Sequence, residues 1–125
     1  MRAAQDCGNL IFGPLAAYLA QQLTGSRIAQ ADPANASRTL LWDRTKCDWS
    51  DELLDWFGVS RDCLPVTVPS RHTWGELSVT GMRIPLEIVT GDQSAALFAF
   101  GEPDPDTVYA NLGTGAFLQR SCGTA

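Results

Sequence analysis

Two short stretches of this sequence hold residue types that could do chemistry. The first is Gly91-Asp92-Gln93, which follows the β-branched run IPLEIV and precedes the helix-favouring SAALFAF. A carboxylate at a strand-to-helix junction can take the proton of an alcohol while the hydroxyl oxygen attacks phosphorus. An ordinary aspartate is ionised at neutral pH and therefore ready for that role. The second stretch is Gly113-Thr114-Gly115, between the apolar runs VYANL and AFL. A glycine turn carrying a threonine offers backbone N–H groups and a hydroxyl to phosphate oxygens. Each stretch also has a plain structural reading. Asp92 could cap the helix that follows it, and the glycines could serve only a hairpin turn that needs positive φ. Taken residue by residue, both readings stay open.

The elements around these loops are of mixed α and β type. In LIFGPLAAYLAQQL (residues 10–23), apolar residues at 12, 15, 19 and 23 have the spacing of a half-buried helix. Gly13-Pro14 suits its start, and Gly25 suits a left-handed stop. DPANASRTLLWD (32–43) mixes turn residues with a segment, Thr39–Trp42, that fits a short strand or a buried helical turn. In WSDELLDWFG, Ser50 is an N-cap and Gly58 a stop, with Leu53, Leu54, Trp56 and Phe57 as the buried side. Residues 60–65 add one more turn, stopped by Pro65. A Pro- and Ser-containing connection leads to a strand over Ile84–Val89 and a short helix over Gln93–Phe100. Glu102-Pro103-Asp104-Pro105-Asp106 is a polar break and a domain boundary. Two strands then fold back around the glycine turn.

Composition excludes several classes. The 125 residues can bury roughly two thirds of their unfolded surface. With 45% hydrophobic and 18% charged residues the chain is globular rather than disordered. Its net charge of −5 and scattered Lys and Arg offer no footprint for nucleic acid or an anionic membrane. No apolar run approaches a membrane span, and Asp6, Gly8 and Asn9 interrupt any signal-peptide core. The cysteines at 7, 47, 63 and 122 lack paired zinc spacing and read as reduced thiols of a cytoplasmic protein. His72 reads as a solvated loop residue, and Trp42, Trp49, Trp56 and Trp74 as packing residues.

Four strings, DPANASRTLLWD, WSDELLDWFGVSRDCLP, IPLEIVTGDQSAALFAFG and NLGTGAFL, occur in the order and at the spacing found in the FGGY carbohydrate kinases. The chain resembles that family from about Phe12 to Leu118, most closely its glycerol-phosphorylating members. The resemblance implies part of an actin-like, ribonuclease H-like ATPase fold. Residues 1–103 would be the C-terminal part of the first domain, and 104–125 the opening β-hairpin of the second. It implies Asp92 as the catalytic base, also close to Mg2+ through water. Asp92, Gln93 and Phe117 would contact the polyol, and Gly113, Thr114 and Gly115 would form a phosphate loop. It further implies ATP and a small polyol or sugar as partners, no nucleic acid or membrane, and allows a homo-oligomeric full-length enzyme.

The departures matter too. Nothing here resembles the family's N-terminal Asp-x-Gly-Thr loop or its Gly-rich adenosine site, so the chain reads as an internal piece that is inactive alone. Part of a central sheet would leave edges uncovered, so the isolated chain is expected to be marginally stable. The segment 71–83 is short for the family, and Asn111-Leu112 and Ala116 depart from the usual wording around the glycine loop. The alternatives are another polyol or a ketopentose as acceptor, and a truncated remnant without catalysis.

Overall fold

The chain is described by a computed structural model over residues 10–121. Asp6, Cys7, Gly8, Asn9 and Cys122 lie outside the described residues. The chain forms two compact units, Met1–Thr90 and Gly91–Ala125, and the polar break at 102–106 falls inside the second.

Helix α1 (Leu15–Thr24) starts after Pro14 and stops at Gly25, whose φ is 67°. Both ends lie where proline and glycine put them. Its buried side is different from the expected one. Ala17 and Ala20 are buried, whereas Phe12, Leu15, Leu19 and Leu23 are exposed. The reason is close approach. The helix packs on β1 (Gln30–Ala31) and β5 (Arg71–Val79), and a Cβ at Gly75 of β5 would stand 2.8 Å from Cβ of Thr24. Only small side chains fit such a seam. The segment before α1 is pinned by the Phe12 N–H, which donates to the Cys63 carbonyl at 2.6 Å.

Strand β1 pairs in parallel with β4 (Val66–Thr67). The next residue, Asp32, is fully buried. Its Oδ2 accepts from the N–H groups of Ala34 and Asn35, and its Oδ1 from the Asn35 amide at 2.7 Å. It thereby caps the four-residue helix α2 (Pro33–Ala36), which runs into a 3-10 turn over Ser37–Thr39. The ambiguous stretch thus resolves into helix first and then a hairpin, β2 (Trp42–Asp43) with β3 (Asp48–Trp49).

Helix α3 (Asp51–Phe57) is capped by Ser50 and closed by Gly58, as its sequence requires. Leu54 is buried, but Trp56 is 83% exposed and Phe57 58%. The first turn of this seven-residue helix makes the core contact, with Leu54 buried and Leu53 packed against it, and the second turn leaves Trp56 and Phe57 outward. The first unit is organised instead around Trp49, which is 3% exposed. Its indole N–H donates to the Pro65 carbonyl at 2.8 Å, and its ring meets Trp42 edge-on at 5.7 Å. Arg61, on the 3-10 turn Arg61–Cys63, donates to the Trp49 carbonyl and to the carboxylates of Asp48 and Asp51. Ala17, Ala31, Ala36, Leu41, Leu54 and Leu64 complete the core.

The supposed connection before residue 84 is largely strand. β5 pairs antiparallel with β6 (Met82–Ile88) across Thr80-Gly81, both at positive φ. His72 therefore sits half-buried on a strand, 3.4 Å from the Gln30 amide and edge-on to Trp74, rather than in a solvated loop. In the second unit, helix α4 (Asp92–Ala96) ends four residues before Phe100. Beyond it the backbone tightens, with Phe98 and Ala99 donating to the carbonyls three residues back. Strands β7 (Tyr109–Leu112) and β8 (Ala116–Gln119) form an antiparallel hairpin, as expected. Among the described residues no helix is long and apolar enough to cross a membrane.

The burial pattern separates the tryptophans in a measurable way. Trp49→Ala should destabilise the chain by about 3–5 kcal/mol, whereas Trp56→Ala should change stability by about 0.5 kcal/mol or less. Urea denaturation followed by circular dichroism checks both.

Candidate functional site

Asp92, Gln93, Gly113, Thr114, Gly115 and Phe117 all lie in the second unit. Strand β6 ends at Ile88 and α4 begins at Asp92. The N-cap is Gly91, which supplies no side chain, so Asp92 is the first helical residue and not the cap. Its Oδ1 accepts the N–H of Gln93 at 2.7 Å, and the residue is exposed. The carboxylate is thus oriented by its neighbour and accessible from solvent.

Gln93 joins the helix to the hairpin. Its backbone carbonyl accepts from the Gln119 side-chain amide at 2.8 Å, and its Oε1 accepts from the Asn111 amide at 3.1 Å. The strand register explains why two different strands meet one residue. Tyr109 pairs with Gln119, and Asn111 with Phe117. Cross-strand partners and residues two apart share a face of the sheet. Asn111, Phe117 and Gln119 consequently project from the face that carries Gln93. From the sequence Asn111 stood out only as a departure from the family wording, and Gln119 did not stand out at all. Their signal was a carboxamide in each of two largely apolar strands, YANL and AFLQ.

The hairpin closes through Leu112 and Ala116, leaving Gly113-Thr114-Gly115 as its turn. The Gly113 N–H donates to the Gly115 carbonyl at 2.9 Å. Among the described residues this leaves the Thr114 and Gly115 amides and the Thr114 hydroxyl uncommitted. Neither glycine has positive φ, so the turn does not use the freedom expected of them. A Cβ at Gly113 would meet nothing within 4 Å, and one at Gly115 would come within 3.3 Å of the Phe117 ring. Gly115 thus lets that aromatic ring lie against the turn. The polar break is tied to the same hairpin, by the Asp104 N–H donating to the Tyr109 hydroxyl and by Arg120 donating to the Pro105 carbonyl.

Among the described residues no group of three His, Cys, Asp or Glu side chains converges to hold a metal. A concavity of about 720 Å3 lies in the first unit between Trp42, Arg44, Glu52 and Trp56, and none of the residues singled out for chemistry lines it.

The sequence profile of the N-terminal domain of the FGGY family of carbohydrate kinases matches residues 3–99. A protein named glycerol kinase 2 from Thermotoga maritima is 36% identical over 125 residues, covering 98% of this chain and 25% of the relative. A glycerol kinase of Leptothrix cholodnii is 42% identical over 113 residues, 89% of this chain and 23% of the relative. Among solved structures, a Plasmodium falciparum glycerol kinase crystallised with ADP superposes with a TM-score of 0.80 at 26% identity, over 94% of this chain and 24% of that one. The chain spans about a quarter of the length of the curated relatives it matches.

The open surroundings of Gly113 make a clean test of what the glycine is for. Gly113→Ala should leave unfolding free energy within about 0.5 kcal/mol of the parent, because no clash or forbidden φ stands in its way. A thermal melt of the variant checks this.

Proposed function

Because the chain belongs to the FGGY family of carbohydrate kinases, and carries part of their actin-like ATPase fold, we propose that the complete protein transfers a phosphoryl group from ATP to a hydroxyl of a polyol, with glycerol as the acceptor. The observation that carries the reading is the clasp at Gln93. It ties Gln93, next to Asp92, to Asn111 and Gln119 on the two strands that carry Phe117 and flank the Gly-Thr-Gly turn, which supports this reading. These are the parts phosphoryl transfer needs, since catalysis there is mainly positioning and charge stabilisation.

The roles follow from the side chains. Asp92 accepts the proton of the attacking hydroxyl while its oxygen bonds to the γ-phosphorus and the bond to the bridging oxygen of ADP breaks. Gln93 hydrogen-bonds the polyol, and Phe117 covers its carbon skeleton. The Thr114 hydroxyl and the amides of Thr114 and Gly115 approach the transferred phosphate, and the lack of a side chain at Gly113 keeps that approach open. The exposed Asp92 carboxylate would hold a magnesium ion through water, as hard oxygen ligands suit that ion. When bound it neutralises phosphate charge.

We further assign residues 1–103 to the end of the first kinase domain and 104–125 to the start of the second. The match of the N-terminal-domain profile, which stops at residue 99, supports that division. ATP as co-substrate and free thiols at Cys47 and Cys63 accord with a cytoplasmic enzyme. A second reading, with another polyol or a ketopentose as acceptor, is favoured by Asn111. That residue departs from the usual family wording and touches Gln93 directly.

In the complete protein, Asp92→Asn should lower turnover by roughly 10²–10⁴-fold, the usual contribution of a general base, with the KM for ATP nearly unchanged. A coupled assay of ADP release with glycerol as acceptor checks it, and unchanged turnover would remove Asp92 from the mechanism.

A further inference from the structure

We propose that Gln119 is a positioning residue for turnover, holding the base-bearing end of α4 at a set spacing from the Gly-Thr-Gly turn. The inference rests on the reading of Asp92 as the base and of that turn as the phosphate contact. The link runs through one residue. The Gln119 side-chain amide donates to the Gln93 carbonyl at 2.8 Å, and the Gln93 N–H donates to Asp92 Oδ1 at 2.7 Å. Both bonds end on a backbone group of Gln93. A carbonyl can only accept and an N–H can only donate, so the direction of each bond is fixed. The half-buried Gln119 must turn its NH2 group towards the helix.

Gln119 stands where such a link sets a distance. It is the last residue of β8, and Ala116, the first, closes the Gly-Thr-Gly turn against Leu112. Three strand steps of about 3.3 Å make β8 a spacer of roughly 10 Å between turn and link. The end of the hairpin away from the turn is held on both strands. Tyr109, paired with Gln119, accepts the Asp104 N–H, and Arg120 donates to the Pro105 carbonyl. Gln93 precedes the polar break at 102–106 and Gln119 follows it, so the bond spans two segments that the chain joins only through that break. Phosphoryl transfer depends on the spacing, because one hydroxyl must reach the base and the phosphorus together. A misplacement of about 1 Å can cost on the order of 10²-fold in rate. With its donor group committed to the helix backbone, Gln119 acts on turnover and not on affinity.

The test is steady-state kinetics on the complete protein, with the polyol and ATP varied separately. Gln119→Glu keeps the shape but, when ionised, can only accept, and Gln119→Met keeps the length without a donor. Each should lower turnover about tenfold, the worth of one hydrogen bond, while both KM values stay close to the parent. Gln119→Lys restores an N–H donor of sufficient reach and should recover much of the loss. In an Asp92→Asn background, Gln119→Met should cause no further fall, because no base is left to misplace. Parental turnover in both Gln119→Glu and Gln119→Met would overturn the proposal, as would losses at Gln119 and Asp92 that simply multiply. Should Gln119→Met lower the melting temperature, Gln119→Glu and Gln119→Lys assayed well below their melting temperatures decide, and equal turnover in those two overturns the proposal. An Asp92→Asn variant with parental turnover would instead remove the base itself, and this inference with it.

Discussion

Two hydrogen bonds to one residue, Gln93, tie the helix of the second unit to its hairpin. Helix α4 has five residues, far short of the roughly 12–15 at which an isolated helix becomes even marginal. A lone two-stranded hairpin is no more secure. The two support one another, because Gln93 accepts from Asn111 on one strand and Gln119 on the other. The large apolar side chains of this unit give little help, since Phe98, Phe100, Leu112 and Leu118 are all exposed. Polar contacts do the work instead, each worth about 1 kcal/mol. The position of Asp92 is inherited from this clasp, because its Oδ1 is tied to the N–H of Gln93.

The first unit reaches stability by the opposite means. Its centre is an indole with every requirement met: Trp49 is buried, its N–H is bonded to Pro65, and its carbonyl is bonded to Arg61. Around it the contact residues are small, with Ala17, Ala31 and Ala36 lying where helix and strands come close. Small residues permit close backbone approach and dense packing. They also leave the larger apolar residues of α1 and α3 on the outside. Single exposed apolar residues are common on proteins, but here Leu15, Leu19 and Leu23 of α1 and Trp56 and Phe57 of α3 are all exposed.

These packing choices explain which features could be read from the sequence. Caps and stops are local, and Pro14, Gly25, Ser50, Gly58 and the turn after Leu112 lie where side-chain chemistry alone puts them. Burial is not local. The rule that large apolar residues go inside favoured Leu15, Leu19, Trp56 and Phe57, whereas the alanines were chosen by the nearness of β5. Strand β5 was illegible because Arg71, His72, Thr73, Glu76 and Ser78 hide its alternation, and its partner strand supplies the reason it forms. In the candidate site, Asp92 and the glycine turn were visible as chemistry-bearing types. Asn111 and Gln119 were not, because their importance lies in a register between two strands and a helix eighteen or more residues away.

The glycine turn shows how a fold and a site can be told apart. A three-residue hairpin loop commonly places glycine where φ is positive, and there glycine is explained by the backbone alone. Here Gly113 and Gly115 lack positive φ. Gly115 is accounted for by the Phe117 ring beside it, but Gly113 faces open space. An alanine there would meet no atom and no forbidden φ, so the backbone of the turn does not itself require glycine at position 113. Asn111 is accounted for within the fold: amides have low strand propensity, and this one contributes through its hydrogen bond to Gln93.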